Sequence, residues 1–277
     1  MTMKFNGLML TDLDGTLLSN NSSVSDQNYQ QFELLARKSI VRAAATGRSV
    51  YSARKVLPPD FPIDYLIFSS GAGIMKWETG EMLKTSALDS DSIHAVADFF
   101  VAANLDFSIH APIPETHCFH WYASATPNPD FLKRLQIFKE FARTGDYRLI
   151  TSATQLLAVT DSCDQLLADL KQNFKRLNII RATSPLDKKA IWIEVFPEKV
   201  SKGHAAEWLS ELLAIDPAFC MSVGNDYNDL AMLEWTRHSY IMQNAALELQ
   251  KQFFCVPDNN SNGFSFAINH WLKELGL

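Results

Sequence analysis

The chain has 277 residues, with 25 Lys and Arg against 31 Asp and Glu and a formal net charge of −6. Hydrophobic residues make up 47% and charged residues 20%, which excludes a disordered chain, and the acidic balance excludes a general nucleic-acid binder. The length suits one large or two ordinary domains. In chain order, the short apolar run at Leu8-Met9-Leu10 reads as a parallel strand buried on both faces. The start carries no leader-type apolar core or cleavage pattern, so no leader is expected. Ser25 is placed to cap a helix over 26–38, followed by a strand at 40–45 and a helix over 48–57 that Pro58-Pro59 stops. Tyr65-Leu66-Ile67-Phe68 is a third strand. This β-α-β-α-β order predicts a doubly wound parallel sheet, with ligands beyond the carboxyl ends of its strands.

The middle reads differently. Helical patterns at 90–103, 130–143 and 161–174 mix with strands at 107–109, 119–122 and 177–180, which suggests an α+β insert. Alternation returns with a strand at 191–195, a helix over 201–213, strands at 220–223 and 240–242, a helix over 228–235 and a last helix over 264–275. The expected fold is α/β: a three-layer core of residues 1–82 and 188–277 with an α+β domain inserted at 83–187. No run approaches 18 apolar residues, so no membrane span is expected. The four cysteines lie at least 35 residues apart, without a C-x-x-C pair, and read as free thiols of a cytoplasmic protein.

Four clusters carry chemistry. Asp12-Leu13-Asp14-Gly15-Thr16 leaves the first strand with two carboxylates able to converge on one point, where a divalent cation would relieve their repulsion. Ala45-Thr46-Gly47-Arg48 offers a hydroxyl, free N–H groups and a guanidinium at a helix start, the makings of a phosphate site. Lys202 stands at the first turn of a helix, where the dipole gives a cation no help, which hints at an anionic partner. Gly224-Asn225-Asp226-Tyr227-Asn228-Asp229 brings four amide or carboxylate side chains to another strand end. Taken singly, each has a plainer reading: a polar turn, a threonine cap, a solvated lysine, an Asx-rich turn.

In this order, and each at a strand's carboxyl end, the clusters resemble the haloacid dehalogenase-like (HAD) hydrolase superfamily, and more narrowly its Cof-type phosphatases with a large α+β cap. Asp12 through Thr16 resembles the first motif, Thr46-Gly47-Arg48 the second, and Lys202-Gly203 after Glu194-Val195-Phe196-Pro197 the third. Asn228 through Leu233 resembles the end of the fourth, and Asn259 through Gly263 a closing loop. The resemblance implies a Mg²⁺-dependent phosphatase of small phosphorylated metabolites, sugar phosphates or phosphorylated cofactors, acting through an aspartyl-phosphate. It makes Asp12 the nucleophile, Asp14 the acid and base, Thr46 and Lys202 the phosphoryl holders, and Asp229 a partner of Lys202 or of a metal-bound water. Gly47, Arg48, Ser70, Gly71 and Asn228 become substrate contacts, and residues 83–187 the specificity cap. A phosphomutase and a catalytically silent phosphate-ligand-binding protein are the alternatives; a monomer or homodimer is expected.

Two residues depart from the family pattern. Asn225 stands where an aspartate is usual, and Asp226 follows it; Ser70 stands where an asparagine is usual. The metal set is therefore Asp12 and Asp14 with Asn225, Asp226 compensating for the missing charge. In the insert, His117-Cys118-Phe119-His120 invites a metal reading. On a strand His117 and His120 would face opposite sides, so they read as ordinary strand histidines, with substrate contact as the alternative.

Overall fold

The computed structural model describes residues 5–277, so the first four, part of the leader reading, lie outside the described residues. The chain divides into two compact units. The first joins the N-terminal stretch up to Arg48 with Ala53–Lys84 and Ser201–Leu277; the second is Ser49–Ser52 with Thr85–Val200.

The first unit is built on an eight-stranded sheet. Its order is Phe254–Val256, His238–Met242, Cys220–Gly224, Gly7–Thr11, Ile40–Ala45, Tyr65–Phe68, Gly73–Lys76 and Met82–Thr85. The first six run parallel, and Gly73–Lys76 turns back antiparallel to Tyr65–Phe68. Gly7–Thr11 is buried at every position, as its uninterrupted apolar run requires. The chain builds outward from this strand on one side, then returns to build on the other. The switch point therefore lies between Gly7–Thr11 and Cys220–Gly224, where ligands bind in such sheets.

Helices cover both faces. Asp26–Arg37 starts at Ser25, whose hydroxyl accepts from the Asn28 N–H, and stacks Phe32 on Phe264 of the last helix, Gly263–Glu274. On the other face Ala205, Ala206 and Leu209 of Lys202–Leu212 pack with Leu8, Leu10, Val41 and Met232. Gly203 lets this helix meet its neighbour closely: a Cβ there would lie 2.3 Å from the Ala231 carbonyl oxygen. The helix expected over 48–57 is only Val50–Ala53.

The second unit is a six-stranded sheet in the order Leu177–Thr183, Ile191–Pro197, Gln155–Thr160, Asp106–His110, Phe119–Tyr122 and Ala142–Arg143. Helices Ser90–Ala102 and Asp164–Asn173 cover one face through Val96, Phe100 and Leu170. Two expectations change here. Ile191–Pro197 is not a core strand; it pairs antiparallel with Gln155–Thr160 and Leu177–Thr183. The boundary consequently falls at 200/201 instead of 187/188. Ile193 and Val195 pack into the core of the second unit with Val96, Phe100 and Leu170. Among the described residues, no helix is long and apolar enough to cross a membrane.

Candidate active site

The site lies at the switch point, entirely within the first unit. Lys202 is the first residue of its helix, with Ser201 as cap, and its side chain is fully buried. Its Nζ donates to Asp12 Oδ1 at 2.6 Å and Asp229 Oδ1 at 2.7 Å, and lies 3.5 Å from Asn228 Oδ1. Burial works against the lysine's charge, but Asp12 and Asp229 outweigh it and hold its pKa above the ordinary value. The misfit of a cation at a helix start is thus resolved by two buried carboxylates. Asp229 is buried completely, and its other oxygen, Oδ2, accepts the backbone N–H groups of Asn225 at 2.9 Å and Asp226 at 3.1 Å.

Asp12 is left short of positive charge. Burial pushes its carboxyl up to about 7; Lys202 pulls it down, while Asp229 and Asp14 push it further up. Asp14 does not share Lys202. Its carboxylate is gripped by the fork of Arg48, Nε to Oδ2 at 2.7 Å and Nη2 to Oδ1 at 2.6 Å. Burial opposes the Arg48 charge and Asp14 more than restores it, leaving that pKa raised. The Arg48 N–H donates to Thr46 Oγ1 at 3.1 Å, which leaves the buried threonine hydroxyl free to donate.

Asn225 completes the cluster. One terminal atom of its carboxamide lies 2.9 Å from the Asp14 carbonyl oxygen, 3.3 Å from Asp12 Oδ2 and 3.0 Å from Thr16 Oγ1. As nitrogen, this atom donates to all three. As oxygen, it accepts from the Thr16 hydroxyl and faces two other oxygens. Oxygen ligands of an octahedral Mg²⁺, each about 2.1 Å from the ion, sit about 3 Å apart. The donor set of Asp12, the Asp14 carbonyl and Asn225 fits that cation in the second orientation. Gly15 makes the approach possible: it takes φ +77°, and a Cβ there would meet Asn225 Nδ2 at 2.7 Å.

The remaining expectations divide. Gly47 lies beside Ser70 Oγ and Asn228 Nδ2, 3.5 and 3.8 Å from where its Cβ would be, so these three are neighbours. Ser70 is fully buried with φ 54°, a left-handed conformation that asparagine adopts more readily than serine. Gly71 is placed otherwise: a Cβ would lie 2.3 Å from the Ser201 carbonyl, so this glycine lets the loop dock against the start of the Lys202 helix. Asp226 forms a capping box with Asp229 at the turn Tyr227–Asp229, and it is the Asn225 carboxamide that lies beside Asp12 and the Asp14 carbonyl. Sequence reasoning gave no role of their own to Thr16 and Asn259, which it placed only within motifs, and did not single out Asn244. Asn244 Nδ2 holds the Gly15 carbonyl and buried Asn259 Nδ2 the Leu18 carbonyl, both at 2.8 Å, which pins the loop after Asp12. The closing-loop resemblance at Asn259 was the signal for that role.

The family profile for haloacid dehalogenase-like hydrolases matches residues 9–268. This chain belongs to that family of hydrolases. The hydrolase is 27% identical over 282 residues to an HMP-PP phosphatase from Enterobacter sp. strain 638, with 96% of each chain covered. It is 23% identical over 286 residues to the 5-amino-6-(5-phospho-D-ribitylamino)uracil phosphatase YwtE of Bacillus subtilis, covering 95% of this chain and 96% of that one. Among solved structures, the HAD subclass IIB sugar phosphatase BT4131 superposes with a TM-score of 0.77 at 19% identity, over 96% of this chain and 98% of the other. The expected superfamily and the α/β fold are therefore met.

Proposed function

We propose that the hydrolase is a Mg²⁺-dependent phosphatase that releases phosphate from small phosphate monoesters through an aspartyl-phosphate on Asp12. The observation that carries this reading is the division of labour at Asp12: Oδ1 meets buried Lys202, while Oδ2 faces the Asp14 carbonyl and Asn225 cluster. Oδ1 attacks phosphorus, the ester P–O bond breaks, and Asp14 passes a proton to the leaving oxygen. Water then attacks the phosphoryl group on Asp12 and gives a proton back to Asp14, and inorganic phosphate leaves as the carboxylate is restored. Asp12, the Asp14 carbonyl and Asn225 would hold the cation, whose chemistry is to neutralise charge on the phosphoryl oxygens. Thr46 donates its hydroxyl to those oxygens, and Lys202 offsets the nucleophile's charge.

Arg48 has a more specific part than a general substrate contact. Its fork takes both Asp14 oxygens, so proton delivery requires the guanidinium to release one of them. A phosphate ester brings competing acceptors for the same fork, which couples substrate arrival to freeing Asp14. Sugar phosphates or phosphorylated cofactors are the substrate class, supported by the named activities of the relatives, and the second unit is assigned to choosing among them. The test is phosphate release from a panel of such esters, with Mg²⁺ and with excess chelator, in the native enzyme and in Asp12→Asn. Turnover should need both the metal and Asp12; activity that survives Asp12→Asn in a clean preparation overturns the assignment.

A further inference from the structure

The second unit carries a separate cluster of metal-ligating side chains. One ligand atom each of Glu115, His117 and Cys118 lies within 4.8 Å of the others. Glu115 Oε2 is 3.5 Å from His117 Nε2 and 4.0 Å from Cys118 Sγ. The three residues sit in the connection between Asp106–His110 and Phe119–Tyr122, ahead of the second strand. His117 therefore escapes the strand alternation that separates it from His120.

The backbone under them is fixed. The Cys118 N–H donates to the Glu115 carbonyl at 2.8 Å, closing a tight turn that turns positions one, three and four toward one side. The Ala111 N–H donates to the Cys118 carbonyl at 2.9 Å, and buried His110 Nδ1 holds the Thr116 carbonyl at 2.8 Å. The His117 ring is also set. It stacks on Tyr51 of the same unit at 4.7 Å and meets Phe141 edge-on at 4.7 Å. Its Nδ1 is buried without a hydrogen-bond partner, while Nε2 is the nitrogen that faces Glu115.

A tetrahedral ion bound at about 2.0–2.1 Å to nitrogen and oxygen and about 2.3 Å to sulfur holds its ligands about 3.3–3.6 Å apart. Two of the separations here already approach that range. A thiolate, a carboxylate and a neutral imidazole carry two negative charges, matching a dication, and the thiolate selects a soft or borderline metal over Mg²⁺. We propose that Glu115, His117 and Cys118 form a Zn²⁺-class site with an open fourth position, chemically distinct from the all-oxygen set at Asp12, Asp14 and Asn225.

Co²⁺ is the probe, because its bond to a thiolate gives a charge-transfer absorption that oxygen ligands do not. The reduced full-length chain, with Mg²⁺ in excess to occupy the oxygen site, should develop this band with one equivalent of Co²⁺, and Zn²⁺ should abolish it. Cys118→Ser should remove the band, His117→Gln and Glu115→Gln should weaken Co²⁺ binding by more than about tenfold, and Cys255→Ser, which removes the exposed thiol, should leave it unchanged. A second reading needs no variant: Zn²⁺ should slow alkylation of Cys118, located by mass spectrometry, and leave Cys255 reacting as before. No thiolate band at stoichiometric Co²⁺, a band that survives Cys118→Ser, or equal protection of both thiols overturns the site.

Discussion

Replacing Asn225 by aspartate restores the carboxylate usual in the family, and its effect follows from one distance. The inward carboxamide atom lies 3.3 Å from Asp12 Oδ2. A second unit charge there repels Asp12 by about 5 kcal/mol at an effective dielectric of about 20. Nearby Lys202 and Arg48 offset part of this, and if half survives, about 2.5 kcal/mol is released when a divalent cation enters. That corresponds to an increase in Mg²⁺ affinity of nearly two orders of magnitude, at about 1.4 kcal/mol per tenfold. The native amide has the opposite bias. With nitrogen inward it donates to Asp12, Asp14 and Thr16 and stabilises the metal-free site, so Mg²⁺ must compete with those hydrogen bonds. Titration calorimetry with Mg²⁺, and thermal unfolding with and without it, should show Asn225→Asp binding more tightly and gaining more stability from the metal than the native chain. Asn225→Ala should bind more weakly than either. Equal affinity in Asn225→Asp and the native chain, or metal loss confined to Asp226→Ala, would refute the placement of Asn225 in the metal set.

Other perturbations act on the same residues or on the second unit. Asp12→Asn should abolish turnover, and Asp14→Asn should slow it by about 10²- to 10⁴-fold in steady-state phosphate release. Lys202→Met leaves Asp12 and Asp229 buried without their shared cation and should cost about 3–5 kcal/mol in denaturant unfolding; a loss below 1 kcal/mol contradicts the buried-pair geometry. Burial, followed by the Arg134 charge, pushes the His110 imidazole down to about 3, so it stays neutral in the fold while the unfolded chain takes up a proton below about 6.5. Stability contributed by this group is therefore present at neutral pH and lost as pH falls, about 2 kcal/mol between pH 7 and pH 5. Unfolding of His110→Gln at both pH values should lack that increment.

Much of the active site was legible because parallel strands bring remote loops together at one edge. Asp12 and Asp14 after the first strand, Thr46 and Arg48 after the second, and Asn225 and Asp229 after Cys220–Gly224 all meet there, and Lys202 arrives at a helix start facing the same edge. What stayed hidden depended on direction, not on residue type. Nothing in the order Asn225-Asp226 says which side chain turns inward; the capping box of Asp226 with Asp229 decides it. The Arg48 fork on Asp14 was hidden for the same reason, since a guanidinium after a strand suits a phosphate as well as a carboxylate. The second unit was harder. Gln155–Thr160, the strand that joins the two halves of its sheet, is a short apolar run that periodicity alone does not separate from a helix segment.

Asp229 links the two halves of the site's charge. One oxygen binds Lys202, and the other receives the N–H groups that set the loop carrying Asn225. Its side chain packs so closely under that loop that a Cβ on Gly224 would lie 2.6 Å from the Asp229 Cβ and Cγ atoms. With both oxygens engaged and no exposed surface, Asp229 is held in one place by these hydrogen bonds. A single buried carboxylate thus fixes the Lys202 cation on one side of Asp12 and the loop carrying Asn225 on the other. Lys202 shares its charge between Asp12 and Asp229, so the lysine does not neutralise Asp12 fully, and burial together with the Asp229 charge pushes the Asp12 carboxyl up to about 7. The shortfall lies on the Oδ2 side, where the Asp14 carbonyl and the Asn225 carboxamide lie. A divalent cation there would supply the missing charge without loosening the Lys202 pair, which is why the proposed chemistry calls for both.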